Sequence, residues 1–128
     1  MSQKYLLSIV EIGGYPNFTP LYKSKGFTIE TADSMRKAVK LLKKTRPAVI
    51  VAEFNFQSDF RDRTSSLETL MASVQKWPDT RVIVFYEKEQ RDKLERVLAL
   101  FNVFETLEFP IQEQALASAL DRALLEVA

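Results

Sequence analysis

Three stretches of the chain leave little freedom in what it can build. "YLLSIV" (5–10), "AVIVAEF" (48–54) and "RVIVFYE" (81–87) are short, nearly unbroken apolar runs rich in β-branched and aromatic residues. Such runs are strands, and a strand without polar alternation is buried on both faces. That requires helices above and below the sheet. Two more segments, "FTIETA" (27–32) and "VFETLEF" (103–109), also read as strands.

Helical patterns fill the intervals. In "DSMRKAVKLLKKT", Met35, Ala38, Val39 and Leu42 share one face and the lysines lie opposite. Asp33 or Ser34 caps its start, and Pro47 follows its end. In "SSLETLMASVQKW", Leu67, Leu70, Met71 and Val74 make the stripe, with Ser65 or Ser66 as the cap. "KEQRDKLERVLALF" carries Leu94, Val97, Leu98 and Phe101, with Glu89/Lys93, Arg91/Glu95 and Asp92/Arg96 at i,i+4 spacing outside. "QEQALASALDRALLEV" carries Leu116, Leu120, Leu124 and Val127. The stripes are core, and the charged faces are expected to be solvated. The first connection, "GGYPNFTPLYKSKG", holds two prolines and three glycines. Thr19 is expected to cap a helix that Pro20 begins, leaving only one to two turns before Gly26.

Strand and helix thus alternate through five rounds, the order of an α/β fold with a parallel sheet and right-handed crossovers. Ligands of such sheets bind beyond the carboxyl ends of the strands. Function is therefore to be sought after Val10, Glu53, Tyr86 and Phe109.

Composition narrows the chemistry. The 128 residues suit one domain, 1–128. Eighteen basic and seventeen acidic residues leave a net charge of +1, so no global field attracts nucleic acid or acidic membranes. Neither is expected as a partner. The chain has no Cys and no His. Disulfides, thiolate catalysis, the commonest general base and the commonest transition-metal ligand are excluded. No apolar stretch approaches the roughly 18 residues of a membrane span, and "MSQKYLLSIVEIGG" lacks the form of a signal peptide. A cytoplasmic location is expected.

The segment "KGFTIETADSMRKAVKLLKKTRPAVIVAEF" carries a resemblance. Gly26-Phe27, Ala32, Ala38-Val39 and Pro47 fall as they do in the receiver domain of bacterial response regulators, the module phosphorylated on Asp in two-component signalling. "LEFPI" sits where receivers carry a Lys-Pro-aromatic motif. The chain resembles that family over nearly its whole length. The resemblance implies a flavodoxin-like three-layer sandwich, (βα)5, with a five-stranded parallel sheet in the order 2-1-3-4-5 and a shortened first helix.

The family's functional positions are degenerate here. Receivers end their first strand with an acidic pair that binds Mg²⁺, and this chain has Glu11 and Ile12. Glu53 stands where the phosphoryl-accepting Asp is found. Tyr86 stands at the place of a Ser or Thr, with Glu87 where a small residue is usual. Phe109, followed by Pro110, replaces a Lys. Phosphoryl transfer needs an in-line carboxylate, a hard cation, a hydroxyl and an ammonium. Glu53 is one methylene too long, Phe109 carries no charge, and Glu87 would repel a phosphoryl group. The resemblance therefore implies a pseudo-receiver that is not phosphorylated by the usual route and has no catalytic residue or cofactor. It would act through a protein partner or a homodimer on the face of the fourth helix, fifth strand and fifth helix.

For Glu53 itself the plainest expectation is a solvated acid at a strand end; the alternative is an imitation of phosphorylated Asp. Phe56, Phe60, Tyr86 and Phe109 are the candidate contact residues, and Phe54 is expected to pack. Two other functions stand beside this one. One is a metal-dependent phosphotransfer or hydrolytic site at Glu11 and Glu53, which suffice for weak Mg²⁺ binding. The other is a small-molecule module of flavin type on the same fold, although Gly13 and Gly14 lack a Ser/Thr-rich phosphate cradle.

Overall fold

The computed structural model describes residues 4–10, 17–54, 66–77 and 80–127. Five strands form one parallel sheet: β1 (Tyr5–Ile9), β2 (Thr28–Ala32), β3 (Val49–Glu53), β4 (Arg81–Tyr86) and β5 (Glu105–Glu108). Their order in space is β2-β1-β3-β4-β5, as the resemblance implied. The helices are α1 (Thr19–Ser24), α2 (Met35–Leu42), α3 (Ser66–Val74), α4 (Arg91–Leu98) and α5 (Glu113–Val127). A short 3₁₀ turn, Lys88–Gln90, leads into α4.

The three apolar runs occupy the three inner places of the sheet. All of β3 is buried, as are β1 and β4 apart from their first residues. The edge strands β2 and β5 are mostly half-buried or exposed. Continuous apolar sequence thus marks the strands covered on both sides.

The pleat divides the core in two. Leu7, Ile9, Ile50, Ala52, Val82 and Val84 face α2, α3 and α4, where they meet Ala38, Leu42, Leu70, Val74, Leu94 and Val97. Leu6, Val49, Val51, Ile83 and Phe85 face α1 and α5, where they meet Tyr22, Leu116, Ala119, Leu120 and Ala123. The alanines let α5 lie close on the sheet.

Local signals account for the helix ends, with one correction. Ser34 caps α2 by accepting a hydrogen bond from Lys37 N–H. The α1 cap is Phe18 and not Thr19, which is already helical. The Asn17 side chain accepts the Thr19 N–H at 3.0 Å, and the helix begins one residue earlier than a Thr19 cap implies. After α1, Gly26 adopts φ +90, the left-handed conformation that ends a helix without a Cβ penalty. Fraying shortens α4 relative to the expected 88–101. Its start tightens into the 3₁₀ turn, and Leu100 N–H and Phe101 N–H close on the Val97 carbonyl. No helix among the described residues is long and apolar enough to cross a membrane.

Candidate functional site

The carboxyl ends of β3, β4 and β5 come together at one edge of the sheet. Glu53 pairs in register with Phe85, and Tyr86 with Glu108. The ladder continues past the strand ends. Phe54 N–H donates to the Phe85 carbonyl at 2.7 Å, and Phe109 N–H to the Tyr86 carbonyl at 2.9 Å. These bonds fix where Phe54 and Phe109 stand.

Side-chain alternation then sorts the candidates. Val51 lies on the α1/α5 side, so Glu53, two residues on, lies there too, beside Phe85. Phe109 packs on the same side. Tyr86 points the other way, into the cluster of Ala52, Phe54 and Leu94. The structure therefore brings Glu53 and Phe109 to one face and puts the Tyr86 ring on the other.

Glu53 is 5% exposed. The expectation of a solvated acid does not hold, and Glu53 is buried next to Phe85 of the adjoining strand. Burying an ionised carboxylate is costly unless it is partnered, and Glu53 is engaged by its surroundings. Tyr86 is 7% exposed. Its ring completes the core under α4 and offers little surface to a partner. Phe54 is buried, as expected.

Phe109 is half-buried. Its ring meets Phe85 edge-on, with centroids 6.2 Å apart and planes at 75°. Phe85 meets Phe18 in the same way at 6.1 Å. An aromatic row thus runs from the start of α1 across β4 to the end of β5. Phe18 and Phe85 were not singled out in the sequence. Phe85 is hidden within an apolar run, and only the register next to Glu53 reveals its place. Ile111, also buried, extends the apolar closure toward α5.

Glu87 and Pro110 are exposed, and the Phe109–Pro110 peptide is cis. Glu11, Ile12, Phe56 and Phe60 lie outside the described residues. Among the described residues no group of three or more acids could hold a metal ion. Mg²⁺ is bound through carboxylates, and Glu53 stands on the apolar side of the site, beside Phe85. The described residues do not form a cation site.

A separate concavity of about 490 Å³ opens at the opposite, amino end of β4, lined by Trp77, Thr80, Phe101 and Asn102 among others. Among the described residues its lining contains no acid, and it lies at the other end of the strands from Glu53.

No protein-family model matches the sequence, and no curated protein matches it. Solved structures do. A response regulator receiver domain protein from Clostridium thermocellum is similar with a TM-score of 0.76 and 18% identity, over 96% of this chain and 95% of that one. A two-component transcriptional regulator from Clostridium phytofermentans matches at 0.73 and 18% identity, over 98% and 95%. A chemotaxis protein of Vibrio cholerae matches at 0.69 and 17% identity, over 99% and 100%. Identity this low speaks for architecture alone. On strand order, connectivity and these likenesses together, the chain has the fold of the response-regulator receiver domain.

Proposed function

We propose that residues 1–128 form one pseudo-receiver, a protein–protein interaction module of bacterial two-component-type signalling that is not phosphorylated and is not an enzyme. The observation that carries this reading is Phe109. Its ring sits in an aromatic row with Phe85 and Phe18, at the position where a receiver needs an ammonium. An apolar ring cannot hold phosphoryl charge. The buried Tyr86 ring, turned to the far side of the sheet from Glu53, supports the same conclusion.

The partner surface is the side formed by α4, β5 and α5, in a cytoplasmic setting. β5 is one of the two edge strands of the sheet, and Leu100, just after α4 and at the rim of the concavity by Trp77, is 72% exposed. Incubation with acetyl phosphate and Mg²⁺, followed by intact mass, tests the reading. The expected result is an unmodified protein. A stoichiometric phosphoryl adduct on Glu53 refutes it. Leu100→Asp is expected to weaken capture of the native partner or self-association.

A further inference from the structure

The net charge of +1 conceals a sharp separation of sign. From residue 34 to residue 52 the chain has six cations and no acid: Arg36, Lys37, Lys40, Lys43, Lys44 and Arg46. All six are exposed. Ala38 and Leu42 turn inward. Lys43 keeps helical dihedrals, φ -72 and ψ -21, so the helical geometry of α2 runs on past Leu42. At 100° per residue, the first five cations fall within an arc of about 120°, directly opposite the buried face. Arg36, Lys40 and Lys44 form an i, i+4, i+8 row with steps of about 6 Å. The flanking acids are Glu30, half-buried in β2, and Asp33, which pairs with Lys37 at 2.9 Å. That lysine holds the Asp33 carboxyl below its ordinary pKa.

The other outer helices show what plain solvation looks like in this protein. On α4, Arg91, Asp92, Lys93, Glu95 and Arg96 alternate in sign, and Arg91 meets Glu95 at 3.6 Å. On α5, Asp121 and Arg122 reach Lys25 and Glu105. Glu105 and Glu108 lie on β5, the edge of the sheet opposite to β2, against which α2 packs. The single-sign ridge thus sets α2 apart from α4 and α5 and creates a directed field.

We propose that the outer ridge of α2 binds the phosphodiester backbone of nucleic acid without sequence preference. The ridge carries no aromatic, amide or hydroxyl group to anchor a protein hot spot or read a base, and lysine is depleted at protein interfaces. Lysine and arginine alone suffice for phosphates. Each step of about 6 Å in the row spans roughly two base steps of a duplex axis, along which each strand carries one charge per about 3.4 Å. The apolar face of α2 is buried in the domain and is not free to enter a membrane. This inference does not depend on the reading of Glu53.

The test is binding of a short labelled duplex of mixed sequence, followed by anisotropy across a salt series. Five phosphate contacts give a slope of log K against log salt of about −4 to −5. Lys40→Glu/Lys43→Glu is expected to lower affinity about 100-fold at about 50 mM salt, because each lost contact forfeits roughly tenfold. Arg91→Glu/Arg96→Glu on α4 changes the net charge equally and should leave most of the affinity. All four positions are exposed, and unchanged circular dichroism verifies folding. No binding at low salt, or equal losses in the two variants, overturns the proposal. So does competition by polyglutamate as effective as DNA, which means an acidic protein partner, or stronger binding to anionic vesicles, which means a membrane.

Discussion

Replacing Phe85 and Phe109 by leucine, singly and together, tests the aromatic closure of the site directly. Leucine keeps most of the apolar volume and removes the ring geometry. Phe85 is fully buried and meets two rings, Phe18 and Phe109. Phe85→Leu loses both edge contacts plus a modest packing term, about 2–3 kcal/mol in all. Phe109→Leu loses one ring contact at a half-buried position, about 1–1.5 kcal/mol. The shared contact is counted in both singles, so the double variant should fall short of their sum by about 1 kcal/mol. Urea unfolding followed through Trp77, the one tryptophan, supplies the numbers. An unchanged dependence on urea concentration would show that the unfolded state is not what moved. Strict additivity would refute the ring–ring contact. A Phe109→Leu variant as stable as the parent would be worse for the argument, because the ring would then stand in solvent and the edge near Glu53 would be open.

Two further substitutions test the scaffold around that edge. Gly26→Ala should cost about 1–2 kcal/mol, all of it backbone strain, because φ is +90 and nothing lies within 4 Å of an added Cβ. Gly26→Asn should cost less, and a neutral alanine would contradict the left-handed turn. Thr80→Val should cost about 1–2 kcal/mol, since the nearly buried hydroxyl donates to the Pro47 carbonyl at 2.8 Å and ties the entry of β4 to that of β3. Thr80→Ser should retain most of the stability, and equal losses for Val and Ser would remove the hydrogen bond as the cause.

Most of the architecture was legible because it rests on short-range patterns. The apolar runs at 5–10, 48–54 and 81–87 became the inner strands β1, β3 and β4, since only a strand buried on both faces tolerates so little polarity. Among the described side chains, the i, i+3, i+4 stripes became the buried faces of α2 to α5, while those of Met35, Leu67 and Val127 lie outside the description. Gly26 and Pro20 foretold a short α1. The misplaced cap at Thr19 has a local cause, for the Asn17 side chain accepts the Thr19 N–H and Thr19 already belongs to the first turn. The length of α4 was overread because its apolar residues continue into a 3₁₀-like end where only part of the helical bonding persists.

The site was legible in position and not in state. Strand-end logic led to Glu53, Tyr86 and Phe109, and all three stand at the carboxyl edge of the sheet. Their burial could not be read along the chain. Whether an acid at a strand end meets water depends on the helices that arrive from far away in sequence. The same holds for Tyr86, which an aromatic-for-contact reading exposes and the packing of α4 covers.

By itself the sequence determined the alternation of strand and helix, the choice of inner strands, and the residue types that stand at the strand ends, because residue type and spacing are local properties. It also determined that six cations stand together from 36 to 46. Only the tertiary structure decided that Glu53 is enclosed, that Phe18, Phe85 and Phe109 form one row, and that the cations of α2 share an outward ridge set apart from the acids of β5. Those facts depend on register and layer packing, which join residues up to ninety positions apart.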